Sequence, residues 1–163
     1  MLRLATPADF GFIRSLTGRP DYAPYLTDET EVALADYLDG PTTRLLIWES
    51  MGSAAGFALY CGLGQASDAV ELRRIALDKA GGGQGATFFN ALLDYAFSNL
   101  AAERVWLDAS GENLRAMRVY ERAGCLREGI QRAHWWRPAL GRAVDLHLFG
   151  MLRAEWLKRR SEG

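Results

Sequence analysis

The sequence predicts one α/β domain on a mixed sheet, with elements in the order β-α-α-β-β-β-α-β-α-β-β. Three observations lead there. The spacing of apolar residues is helical before Gly40-Pro41, becomes strand-like after it, and is helical again from Gln84. A glycine-dense segment separates the last of three consecutive strands from a long helix. No repeat, linker or low-complexity stretch divides the 163 residues, so a single domain over 1–163 is expected.

Each element has its own signal. Leu2 to Ala5 alternates as an edge strand, and Thr6-Pro7 then opens a helix as N-cap and first helical residue. Phe10, Ile13 and Leu16 give that helix an apolar stripe until Gly18 and Pro20. An aromatic loop spans Asp21 to Leu26. A second helix carries Thr30, Val32, Leu34, Ala35 and Leu38. Leu45 to Trp48 and Ala54 to Leu63 form a hairpin across Ser50–Gly52, and Ala69 to Leu77 is the next strand. Gln84 to Leu100 is a long helix with Phe89, Leu92, Leu93, Ala96 and Phe97 on one face. Val105 to Leu107 is a short buried strand, and Glu112 to Arg122 is a helix stopped by Gly124. Two late strands, 128–136 and 143–151, flank a turn at Pro138 and Gly141, and a short basic helix ends the chain.

Composition narrows the function classes. With 49% hydrophobic and 24% charged residues the chain is globular rather than disordered. A net charge of −1 gives no basic field for nucleic acid or an anionic membrane, so neither partner is expected. Cys61 and Cys125 sit far apart in apolar surroundings and read as reduced packing residues. His134 and His147 have no second ligand at metal spacing, so no metal is expected. Neither a signal peptide nor a membrane-length apolar run is present, which makes the expected location cytoplasmic.

The segment Leu77-Asp78-Lys79-Ala80-Gly81-Gly82-Gly83-Gln84-Gly85-Ala86-Thr87 carries the strongest local signal. Glycines at a strand-to-helix turn let the backbone approach a ligand closely, and the unpaired N–H groups of the first helical turn favour phosphate. A merely flexible connector is the competing reading. No Gly-Lys-Ser/Thr follows, which excludes a nucleoside-triphosphate loop. Gly81-x-Gly83-x-x-Ala86, with Glu103 beyond it, formally satisfies a dinucleotide-binding fingerprint. That fingerprint belongs on the first strand of a parallel series, whereas here it follows hairpin-connected strands.

A second segment, Glu112-Asn113-Leu114-Arg115-Ala116-Met117-Arg118-Val119-Tyr120-Glu121-Arg122-Ala123-Gly124-Cys125, follows after one strand. Asn113 and Tyr120 are about two helical turns apart and can face one ligand, with the small Ala116 between them. Taken singly, Asn113 also reads as a helix cap and Tyr120 as a core residue.

Together the two segments resemble the GNAT superfamily of N-acetyltransferases, in particular the branch of ribosomal-protein N-terminal and small-amine enzymes. Gly83 and Gly85 match the small positions of its Arg/Gln-x-x-Gly-x-Gly/Ala loop, with Ala80 where Arg or Gln is usual. Asn113, Ala116, Tyr120, Glu121 and Gly124 match its Asn-x-x-Ala-x-x-x-Tyr-Glu-x-x-Gly-Phe segment, with Cys125 in place of Phe. The resemblance implies acetyl-CoA as co-substrate and transfer of its acetyl group to a primary amine of a small molecule or protein N-terminus. It implies that the amides of Gly81, Gly82, Gly83, Gln84, Gly85 and Ala86 hold the pyrophosphate. The backbone of Ile75, Ala76 and Leu77 would pair with the pantetheine arm and supply the oxyanion donor. Tyr120 would protonate the departing thiolate. A non-catalytic acyl-CoA-binding module is the alternative, favoured by Ala80.

For the base, Glu71 lies an even number of residues before Ile75, so strand alternation puts both on one face. A pairing of Glu71 with Arg73, Arg127 or Arg132 is the structural alternative. Acceptor recognition is expected from Asp21, Tyr22, Tyr25 and Asp28 and from His134, Trp135 and Trp136, acids and aromatics that suit a cationic amine. Surface aromatics of this kind also suit a homodimer interface.

Overall fold

The computed structural model of the protein describes residues 1–163. Its elements are β1 (Leu2–Leu4), a 3-10 turn (Pro7–Asp9), α1 (Phe10–Thr17), α2 (Glu31–Asp39), β2 (Thr43–Ser50), β3 (Ser53–Cys61) and β4 (Ala69–Leu77). They continue as α3 (Gln84–Ser98), β5 (Arg104–Ser110), α4 (Leu114–Arg122), β6 (Leu126–Arg137), β7 (Arg142–Leu152) and α5 (Arg153–Glu162). The expected order holds, and the boundaries differ for identifiable reasons. Pro7 opens a 3-10 turn because the Asp9 carboxylate folds back to accept from the Thr6 N–H at 2.8 Å and from Arg3. β5 outruns its apolar stretch because β7 pairs with it along its full length, from Arg104 opposite Leu152 to Ser110 opposite Leu146. α4 starts after Asn113, whose side chain caps it by accepting from the Ala116 N–H at 3.2 Å.

The seven strands form one sheet in the order β1-β2-β3-β4-β5-β7-β6. β4 and β5 are its only parallel neighbours, and they pair only from Ala69 opposite Arg104 to Glu71 opposite Trp106. Beyond that point β4 continues to Leu77 and β5 to Ser110 without pairing with each other, so the sheet opens into a V. α3 and α4 pack on one face around Phe88, Phe89, Phe97, Tyr120 and Phe149, and α1 and α2 cover the other around Ile13, Leu34, Ile47 and Phe57. Burying each such side chain stabilises the fold by roughly 1.5–3 kcal/mol before chain entropy is counted.

The approach of β3 to β4 beside the V depends on Gly56. A Cβ there would lie 2.6 Å from the Ala76 carbonyl oxygen and 2.9 Å from Leu77 Cδ2. A backbone carbonyl in a central pair of strands cannot swing aside. Gly56→Ala is therefore expected to cost about 1–3 kcal/mol, as overpacking does. Urea unfolding should show a lower midpoint at unchanged slope. An unchanged midpoint would mean that the sheet yields at this position.

Candidate active site

A bulge in β4 decides what faces the V. Leu59 pairs with Arg74 and Tyr60 with Leu72, so Arg73 is an extra residue in β4. Alternation therefore reverses between its two ends. Val70 and Leu72 face α3, as expected of even positions, but beyond the bulge it is Ile75 and Leu77 that pack on that face. Glu71 and Ile75 consequently lie on opposite faces, and the alternation that placed them together fails. Glu71 is bound to Arg73 at 2.7 Å, its side chain is only 17% exposed, and it lines neither cavity described below.

The open edge of β4 presents Ile75 and Leu77. The Asp78 N–H donates to the Ala55 carbonyl on β3, so by alternation the polar groups of Ala76 also turn to β3, while those of Ile75 and Leu77 turn into the V. Ala76 lines the groove described below, but its backbone groups are thus taken up by β3 and are not free for the pairing expected of them. At Leu77 the Tyr22 hydroxyl accepts from the N–H at 2.9 Å and donates to the carbonyl at 2.5 Å. Arg19 donates to the Asp78 carbonyl at 2.6 Å, so the loop after α1 is stitched to the end of β4.

Beyond β4, Gly81, Gly82 and Gly83 have φ of 120°, 58° and 78°, left-handed conformations that favour glycine. The Gln84 N–H donates to the Gly81 carbonyl at 3.2 Å, which removes it from the set of free donors. The N–H groups of Gly85 and Ala86, in the first turn of α3, have no backbone partner in the protein. They open on a cleft of about 490 Å³ whose other wall is Arg115, Arg118 and Arg122 of α4. None of these arginines forms an ion pair. Their spacing of three and four residues puts them on one helical stripe, a pattern legible in the sequence but overlooked there. They supply the cationic wall that Ala80 does not.

Two cavities meet at the V. A groove of about 230 Å³ runs along Ile75, Leu77 and Gly85 on one side and Ala116 and Val119 on the other. A pocket of about 270 Å³ lies beyond it, lined by Tyr25, Leu72, Asp108, His134, Trp135 and Leu146 among others. Tyr22, Tyr25, Ile75, Asn113 and Tyr120 line both. Tyr120 is 5% exposed and packs against Phe89 and Phe149, with ring centroids 4.7 and 5.5 Å away. Burial raises its pKa above the ordinary phenol value, and the nearby Asp108 carboxylate adds to the shift.

The sequence reading missed Asp108. It stands on β5 where the strands have parted, exposed at the wall of the pocket. Desolvation pushes its pKa up, with Glu71 adding to the shift and Arg74, His134 and Arg73 opposing it. It makes no ion pair, unlike Glu71 with Arg73 and Glu29 with Arg74. A carboxylate five residues before the helix-capping Asn113, at the end of a buried strand, was the available signal.

Of the acceptor candidates, Tyr22, Tyr25, His134 and Trp135 line the pocket. Asp28 instead accepts from the Thr17 hydroxyl at 3.0 Å, Asp21 pairs with Arg19 at 2.6 Å, and Trp136 is 60% exposed. A wide bulge in β6 delivers His134 and Trp135: Gln131 pairs with Leu146 and Trp135 with Val144, leaving two residues over. Ala133 takes φ 46° within it, held by its N–H donating to Asp145 at 2.7 Å.

Comparison with known proteins agrees with this architecture. The profile of the acetyltransferase (GNAT) family matches residues 10–125. The structure of a spermidine N-acetyltransferase from Vibrio cholerae in complex with CoA and spermine superposes with a TM-score of 0.85 at 22% identity, over 96% of this chain and 97% of that one. A chimera of the Vibrio cholerae enzyme SpeG with hSSAT gives 0.84 at 23% identity, over 97% and 99%. At such identities the likeness is one of fold.

Proposed function

The chain belongs to the acetyltransferase (GNAT) family, and from that premise we propose that it transfers the acetyl group of acetyl-CoA to the primary amine of a small molecule at the V between β4 and β5. The observation that carries this reading is the meeting of a donor groove and an acceptor pocket at Tyr120 and Ile75. The residues fit the donor. The free amides of Gly85 and Ala86 and the unpaired Arg115, Arg118 and Arg122 suit its phosphates, and the apolar groove past Ala116 suits its arm.

Chemistry at the junction divides among three groups of the protein. Asp108 attracts the acceptor ammonium and takes its proton, directly or through water, which is the role that strand alternation had given to Glu71. The freed amine nitrogen attacks the thioester carbonyl, and the Ile75 N–H stabilises the oxyanion. The attacking nitrogen then sheds its second proton to water, and the carbon–sulfur bond breaks as the Tyr120 hydroxyl gives its proton to the departing sulfur. The shed proton restores Tyr120 through water, and Asp108 releases its own to solvent. Amide and free CoA are the products.

Thiol release from acetyl-CoA against a panel of amines tests the proposal. Amine-dependent release supports it. Tight acetyl-CoA binding with no release for any amine would favour a non-catalytic acyl-CoA-binding module instead. Tyr22→Phe adds a second check, because its hydroxyl occupies the Leu77 groups that an incoming arm would use. Removing it is expected to tighten acetyl-CoA binding by up to about tenfold, the equivalent of roughly one net hydrogen bond. Weaker binding would mean that the hydroxyl itself holds the cofactor.

A further inference from the structure

Charge on the pocket wall is almost fully paired within the protein. Arg73 and Arg74 both line it, and each is held by a carboxylate behind the wall: Glu71 at 2.7 Å and Glu29 at 3.0 Å. Glu29 is 5% exposed, so it has no access to a ligand. Asp108 is the one carboxylate on the wall without a cationic partner. The aromatic lining is also partly committed. The guanidinium of Arg137 lies 3.9 Å from the centroid of the Trp135 ring, and Arg137 is anchored by donating to the carbonyls of Ala23 and Leu26. One face of Trp135 thus already carries a positive charge.

We propose that the acceptor is a monocationic primary amine with a flat apolar body, seated with its ammonium at Asp108 and its body between Tyr25, Trp135 and Leu146, and that a polyamine is disfavoured. The inference rests on the acetyl-transfer reading of this pocket. Recognition of a polycation requires several free carboxylates at intervals, and here there is one. A second ammonium further along the pocket would find Arg73 and Arg74 already paired and a cation already on Trp135, and so no free carboxylate to offset its desolvation. An uncharged aromatic or aliphatic body gains from the same walls by burial and by stacking on tyrosine and tryptophan. The titratable and charged groups facing Asp108 are Glu71, Arg73 and Arg74 from β4 and His134 from β6, with the Tyr120 hydroxyl from α4 beside them. A single ammonium supplies the cationic partner that the Asp108 carboxylate lacks, beside the Glu71–Arg73 and Glu29–Arg74 pairs.

The test is calorimetry on the CoA-saturated protein near pH 7, where both amines are protonated, with phenylethylamine, spermidine and a tetra-alanine peptide as probes. Phenylethylamine is expected to bind at least about tenfold more tightly than spermidine or the peptide. Asp108→Asn should reduce that affinity by about ten- to a hundredfold, the range for a hydrogen bond to a charged group. CoA affinity of the variant, measured alongside, reports that it is folded. Spermidine or peptide binding as tightly as phenylethylamine would overturn the proposal, as would an unchanged affinity in Asp108→Asn or no binding of any probe. Because binding is read directly, failure of thiol release with phenylethylamine bound would count against acetyl transfer and leave the pocket's preference standing.

Discussion

Gly85→Val is expected to weaken acetyl-CoA binding by about a hundredfold while leaving the melting temperature within a few degrees of the parent's. The magnitude corresponds to two charge-assisted hydrogen bonds disturbed at once. The site of substitution matters. Gly81, Gly82 and Gly83 adopt φ values that a branched side chain resists, so a loss of binding there would be confounded with backbone strain. Gly85 lies inside α3 with ordinary helical geometry, and a Cβ on it would meet only Val119 Cγ2 at 3.8 Å and Leu77 Cδ1 at 4.0 Å. Its methyls would project into the groove between α3 and α4, over the open N–H groups of Gly85 and Ala86. Calorimetry with acetyl-CoA, beside thermal melts of both proteins, reads the two quantities separately. Unchanged affinity in a protein with the parental melt would place the cofactor elsewhere.

The proposed donor half of the site was legible in the sequence because its signals are local. A glycine-dense turn before a helix, and Asn113, Ala116 and Tyr120 at helical spacing, lie within short windows where chain geometry follows directly from residue type. The acceptor half was not. Its composition depends on two bulges that no periodicity announces. Arg73 in β4 reverses the facing of everything after it, sending Glu71 to the opposite face from Ile75. The extra residues between Gln131 and Trp135 turn His134 and Trp135 inward and leave Trp136 outside. Asp108 became visible only once the partial pairing of β4 with β5 showed where the sheet parts. Strand alternation is a sound rule within an unbroken ladder, and functional clefts are where ladders break.

Tyr120→Phe is expected to lower kcat by about a hundredfold, the lower end of what a positioned proton donor contributes, with little change in acetyl-CoA affinity. Phenylalanine keeps the contacts with Phe89 and Phe149, so the fold should hold, and the loss should appear in turnover rather than binding. The pH dependence separates donation from packing. Burial and the Asp108 carboxylate raise the pKa of Tyr120 above the ordinary phenol value of about 10. A raised pKa in an acid keeps the protonated form to higher pH, so Tyr120 remains a donor through the whole working range and contributes no alkaline limb below pH ~10. Full transfer to a thiolate of pKa ~8.5 in water would run uphill from such a phenol. The same desolvation raises a thiol in this site, as burial lifts Cys125 to about 12 elsewhere in the protein. In the proposed reaction, donation would therefore begin as a hydrogen bond to the sulfur as its charge develops, and the proton would follow as the carbon–sulfur bond lengthens. The parent and Tyr120→Phe should consequently give parallel pH–rate profiles, displaced vertically, whose rise reports deprotonation on the acceptor side. Equal kcat values in the two proteins would reduce Tyr120 to a packing residue. A profile that loses an alkaline limb on substitution would mean that the phenol ionises within the working range, contrary to the shift its burial imposes.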